Sequence, residues 1–242
     1  MTMELLSTGI RKLDRAIGGG LIPNGNLLII HNTYSTGWTI AFEIMRNRVE
    51  MGDFGVVTNT VLPLSTLEIE LVPSGVDLRT LGESGDLAVI DVFGSLHGIK
   101  YNEDFVYSGE NLSADTFVPK YSMLFRTIEQ EKMGDQRVVR VDFTLDGFAF
   151  FLGERNTLRI FQRFMALSEA DGRESINLWV LNRDRTSEKF LSWFSLYAHY
   201  VVEVVSREGM GERLYVRKSP LVYTPKEKGM SIERGRKGVI LR

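Results

Sequence analysis

The chain has 242 residues, 43% hydrophobic and 25% charged, which fits one large α/β domain or two small ones with a substantial core. Its formal charge of -2 excludes whole-molecule attraction to nucleic acid or acidic membranes, and the absence of cysteine excludes disulfides, thiolate catalysis and Cys-ligated zinc. No apolar run approaches the ~18 residues of a membrane span, and MTMELLSTGIRKLD lacks a secretory pattern, so a soluble cytoplasmic protein is expected.

Ser7 is expected to cap a first helix, on which Ile10, Leu13 and Ile17 recur at helical spacing until Gly18-Gly19-Gly20 ends it. NLLIIH (26–31) reads as a buried strand. From Gly37 a helix places Trp38, Phe42, Met45 and Val49 on one face and stops at Gly52. FGVVTNT (54–60) is the next strand, PLSTLEIELVPSG (63–75) a helix with a turn at Pro73, and DLAVID (86–91) a third strand. KYSMLFRTIEQEKMGD (120–135) is a helix and RVVRVDF (137–143) a fourth strand. Helix (156–172), strand (175–182), helix (187–198) and strand (200–208) follow, and ERLYVRKSP and KGVIL are short strands joined by turns. Strands alternating with helices predict a parallel sheet covered on both faces, in one domain over 1–242. Residues 94–117 lack periodicity and are expected to be a long excursion. Its Tyr101, Phe105, Tyr107 and Phe117 form either a partner surface or a small core of their own.

Between the first strand and the second helix, His31–Thr39 reads HNTYSTGWT. A phosphate-binding loop would read G-x-x-x-x-G-K-[ST] there; Asn32 replaces its first glycine, Trp38 replaces its lysine, and only Gly37 and Thr39 remain. STGIRKLDRAIGGGLIPNGNLLII, GVDLRTLGESGDLAVIDVF and ERLYVRKSP…MSIERGRKGVIL resemble segments of the KaiC/RadA branch of the RecA-like ATPases, in particular its uncharacterised archaeal members. The resemblance runs almost end to end. It implies an α/β, RecA-like P-loop NTPase fold, with a central, mostly parallel sheet flanked by helices and a C-terminal β-hairpin.

The resemblance also marks what is missing. In the family the loop amides and the lysine hold phosphate oxygens; each hydrogen bond to a charged group contributes roughly 1.5–3 kcal/mol. Trp38 in the lysine position would then remove about 3–6 kcal/mol, or about 10²–10⁴ in affinity. The family's acidic residues after the second strand, which prime the attacking water, are here Asn59 and Thr60, and neither acts as a base near neutral pH. Asn32, Thr33, Tyr34, Ser35, Thr36, Gly37, Trp38, Thr39 and Asp142 thus form a candidate vestigial nucleotide site, with Thr39 and Asp142 a weak candidate pair for magnesium. Beside that stand plainer readings: Trp38 packs against Phe42 and Met45, Gly37 and Thr39 serve helix entry, and Asp142 is a structural ion-pair member. His31, His97 and His199 show no metal-ligand spacing.

From Arg213 to Arg242 nine Lys/Arg stand against two Glu, a local charge of +7. Within this basic hairpin region (211–242), Arg217, Lys218, Arg234, Arg236 and Lys237 are a candidate basic surface, either for nucleic acid or as a solvated hairpin. Arg217 and Lys218 also lie near the place from which family hexamers reach a neighbour's nucleotide. The expected function is a pseudo-ATPase that binds or regulates a protein partner or itself, with no cofactor. The alternatives are weak ATP/Mg²⁺ binding and DNA association.

Overall fold

The chain's structure, a computed structural model, describes residues 4–222, 229–235 and 238–242. Ser7 is not a helix cap. Helix α1 (Arg11–Ile17) has Ile10 at its N-cap and no side-chain cap. Asp14, in its first turn, instead reaches back to accept from Ser7 Oγ (2.6 Å), Thr8 N (2.8 Å) and Thr8 Oγ1 (2.6 Å), pinning the chain that enters the helix. Gly18, at φ +104°, closes the helix in the left-handed region that favours glycine.

The alternating segments then build β1 (Asn26–His31), α2 (Thr39–Glu50), β2 (Phe54–Asn59), α3 (Leu64–Leu71), α4 (Leu78–Glu83), β3 (Leu87–Asp91), α5 (Val92–His97) and β4 (Val106–Tyr107). After them come α6 (Phe117–Ile128), β5 (Val138–Phe143), α7 (Leu145–Leu152), α8 (Glu154–Asp171), β6 (Ser175–Asn182), α9 (Glu188–Tyr197) and β7 (Tyr200–Arg207). The last three strands are β8 (Gly211–Lys218), β9 (Met230–Gly235) and β10 (Gly238–Leu241). All ten strands form one sheet in the order β10-β9-β8-β7-β1-β6-β5-β2-β3-β4. It is parallel from β7 to β4 and antiparallel from β7 to β10, where β9 and β10 form the expected hairpin. β1 and β2 are buried at every residue, as helices on both faces of a parallel sheet require.

Two apolar cores result, one on each face. Ile29, Val57, Val141 and Phe143 join α1, α2 and α3 in one; Leu28, Val56, Val138 and Trp179 join α6, α8 and α9 in the other. The 94–117 segment is more ordered than its sequence suggests. It holds most of α5 and all of β4, and Phe105, 1% exposed, packs so tightly on α4 that a Cβ on Gly82 would lie 2.3 Å from its ring. Tyr101 and Phe105 enter the first core, Tyr107 and Phe117 the second; the segment has neither a core of its own nor an aromatic surface made of these four.

Candidate functional site

Residues 32–38 run from the end of β1 into α2, at the carboxyl ends of the strands, where open α/β sheets bind ligands. Most of this loop is partnered within the chain. Asn32 forms two hydrogen bonds with the Ser206 backbone on β7, Nδ2 to O at 3.0 Å and N to Oδ1 at 2.9 Å. Thr33 gives its amide (2.8 Å) and its hydroxyl (2.9 Å) to the Asp184 carboxylate. That amide is the main reason the Asp184 carboxyl is held below its ordinary range, so the loop does stabilise an anion, and the anion is the chain's own. Thr36 gives its amide and its hydroxyl (2.8 Å) to Glu212 of β8. Arg234 of β9 closes over the loop, donating to Thr36 Oγ1 (2.9 Å) and Thr36 O (2.8 Å) and pairing with Glu43 of α2 at 3.3 Å. The Gly37 amide is taken by Ser35 Oγ at 2.9 Å. Tyr34 projects outward, 86% exposed.

Gly37 is fixed by packing. A Cβ there would lie 2.4 Å from Val204 Cβ, so the loop lies directly on β7. Trp38, half-buried, turns into the core and meets Phe42 at 5.9 Å and Phe143 at 5.1 Å between ring centroids. Thr39 Oγ1 donates to Thr36 O at 2.9 Å, a bond that closes the first turn of α2.

Thr39 and Asp142 are not brought together. Strand alternation turns Val139, Val141 and Phe143 toward α2, and Arg140 and Asp142 toward α6. The end of β5 therefore presents a phenyl ring, not a carboxylate, to the loop helix. Asp142 is 9% exposed beside its register partner Thr58, whose hydroxyl meets Tyr121 Oη at 3.1 Å. Burial pushes its carboxyl up to about 6, against the opposing pull of Thr58 and the Arg140 charge.

The carboxylate positions after β2 are structural as well. Asn59 Nδ2 donates to Asp91 Oδ1 (2.9 Å) and Leu62 O (2.7 Å), while Thr60 Oγ1 joins the end of β2 to Phe143 O (3.0 Å) and to the Thr144 amide (2.8 Å). Both are fully buried. The residues present do not fit a magnesium triphosphate: the Thr33 and Thr36 amides already face carboxylates, Trp38 turns into the core, and Glu43, the carboxylate on the Thr39 face of α2, is taken by Arg234 and the Val239 amide. Among the described residues no three of His, Asp and Glu are grouped to hold a metal.

The candidate basic surface is also drawn inward. Arg217 pairs with Glu203 at 2.6 Å, which binds Arg183 as well. Lys218 Nζ donates to the carbonyls of Ser195 (3.0 Å), Leu196 (3.2 Å) and Ala198 (2.6 Å), capping the end of α9. Arg234 holds the loop. Arg236 and Lys237 lie outside the described residues. The sequence reading missed Phe143, Asp184 and Glu212. Alternation along VVRVDF from Val139 and Val141 could have given Phe143; nothing local marks the two acids, which lie 151 and 176 residues from their loop partners.

No family model and no curated protein matches the chain. Among solved structures it is similar to the uncharacterized protein PH0321 from Pyrococcus horikoshii, solved in complex with an unknown peptide. The TM-score is 0.83 at 23% identity, over 98% of each chain. The KaiC-like protein PH0186 from the hyperthermophilic archaeon Pyrococcus horikoshii OT3 superposes with a TM-score of 0.71 at 18% identity, over 99% of each chain. The fold is thus that of the KaiC-like, RecA-type proteins.

Proposed function

We propose that this chain is a RecA-fold protein that has left nucleotide hydrolysis behind and acts as a binding or regulatory protein. One observation carries the reading. The loop amides that would receive phosphate oxygens receive Asp184 and Glu212, and the aromatic pair Trp38–Phe143 stands where a cation and a metal-organising acid would be needed. Two carboxylates at the loop repel an incoming triphosphate. A polypeptide partner, or a second copy of the chain, is the matching occupant, and the peptide bound to the similar Pyrococcus horikoshii protein supports the first.

The weak ATP/Mg²⁺ reading has less support, because Thr39 and Asp142 lie on opposite faces of the sheet. The DNA reading has less as well, because Arg217, Lys218 and Arg234 each serve an internal contact. The test is calorimetric titration of ATP with magnesium into the pure protein, alongside a phosphate-release assay. No saturation and no release above the blank are expected; saturation below about 0.1 mM would remove the reading.

A further inference from the structure

The helix-covered face of a parallel sheet is ordinarily lined by apolar side chains. On the α6–α8 face that rule is broken in one row. Asn26 of β1, Asn177 of β6 and Arg140 of β5 are register partners on three adjacent strands. One residue pair further along the same face lie Trp179 and Asp142, again in register.

This row floors a cavity of ≈ 660 Å³ between α6 and α8, within the size range of small-molecule sites. One wall is aromatic, and its rings hold one another in place: Phe161 meets Trp179 at 5.8 Å and Phe164 at 5.9 Å, and Phe164 meets Tyr121 at 4.8 Å, while Arg126, Glu129 and Glu169 line the rest. Arg140 enters from the floor with its guanidinium 4.2 Å from the Phe125 ring centroid. Among the described residues that guanidinium makes no ion pair and no hydrogen bond, and its Nε is buried. Asn177 gives Nδ2 to Asn26 Oδ1 at 2.8 Å, and its own Oδ1 accepts nothing among the described residues.

A partly buried guanidinium whose donors meet no acceptor is costly even with the Asp142 charge nearby, and an apolar residue of similar volume would fill the space at lower cost. The Phe125 ring offsets part of that cost but leaves all five donors of the fork unused. The group that completes this arrangement is an anion. Asp142 sits beside Arg140 on the same strand face and limits how much negative charge is admitted, so a monoanion fits better than a phosphate. The aromatic wall calls for an apolar body behind the charged head.

We propose that the cavity between α6 and α8 binds a small amphipathic carboxylate, its head on Arg140 and its apolar body among Phe161, Phe164 and Trp179. The site lies on the opposite face of the sheet from the loop of residues 32–38 and does not depend on the reading given to that loop.

Three probes titrated into the unaltered protein by protein-observed NMR test it: 4-phenylbutyrate, 4-phenylbutanol and phenyl phosphate. The acid should bind about tenfold or more tighter than the alcohol, as loss of a charge-assisted pair implies, and tighter than the phosphate. Arg140→Met should bring the acid down to the affinity of the alcohol, and Phe164→Ala should weaken both. Equal binding of acid and alcohol, tightest binding of the phosphate, unchanged binding by Arg140→Met, or no saturation by the acid up to about 10 mM each overturns the proposal. The comparison of probes needs no variant, so it decides the matter even where Arg140→Met fails to fold.

Discussion

Trp38 and Phe143 pack with their ring centroids 5.1 Å apart, and Phe42 completes the group at 5.9 Å from the indole and 5.4 Å from the phenyl ring. The first turn of α2 and the end of β5 are therefore joined by aromatic contact. Trp38→Ala should lower the free energy of unfolding by about 2–4 kcal/mol, the range for losing a large core side chain from a half-buried position. Trp38→Lys should cost at least as much, because an ammonium would be placed against two phenyl rings. Urea unfolding measures both, and a Lys variant as stable as the parent would show that the ring does not hold the loop.

Glu212 and Asp184 occupy the Thr36 and Thr33 amides. Replacing both acids with Ala frees those donors and removes two negative charges. Inorganic phosphate at about ten times its dissociation constant should then stabilise the variant by about 1.4 kcal/mol, raising its Tm by about 3–5 °C, while leaving the parent unmoved. Equal shifts in parent and variant would mean that the carboxylates do not keep anions out.

Asp142 gives a pH dependence of definite sign. Its folded carboxyl lies at about 6, above the unfolded value of 3.8, so between these values the folded state holds a proton that the unfolded state has lost. Its contribution to stability is present below about 3.8 and is lost as pH rises through about 6. Of the groups facing it, Tyr121 has its hydroxyl pushed up by burial to about 12, well outside that window. Asp142→Asn should therefore stabilise the protein at pH 7 by about 2–3 kcal/mol, with no gain at pH 3.5, in chemical denaturation run at both values. A loss of stability at pH 7 would show instead that the ionised carboxylate is held by a favourable pairing.

Gly37→Ala drives a methyl group into Val204 and should cost about 1–3 kcal/mol. Val204→Ala opens the space, so the double variant should be more stable than the sum of the single effects by about 1 kcal/mol or more. Strict additivity in the double-mutant cycle would place the strain of Gly37→Ala somewhere other than at this contact.

The order of strands and helices was legible because the apolar runs NLLIIH, RVVRVDF and SINLWVLN are bounded by turns and separated by helical spacing. Three helices escaped the reading, α5 because it opens the segment that lacks periodicity. α4 has six residues and depends on its Asp77 cap, which accepts from the Thr80 amide at 2.9 Å, and α7 follows β5 with only Thr144 between them. Ser7 looked like a cap because cap chemistry is local, whereas its actual partner, Asp14, lies two turns away. At the loop, the missing lysine and glycine were visible residue by residue. The occupants of the vacated space were not, since Glu212 and Arg234 arrive from β8 and β9 by tertiary packing alone. Asp142 was assigned to the loop from its place at the end of a strand; one residue of register decides which face a strand residue serves, and Phe143 is the one that faces α2.

β4 is two residues long and β10 four, and these are the outermost strands of the ten-stranded sheet. A margin that short offers few unpaired amides and carbonyls to a foreign strand. Copies of the chain that meet one another would therefore join through side chains on helices and loops, and their contact surface would change with substitution at those side chains without any lengthening of the backbone ladder.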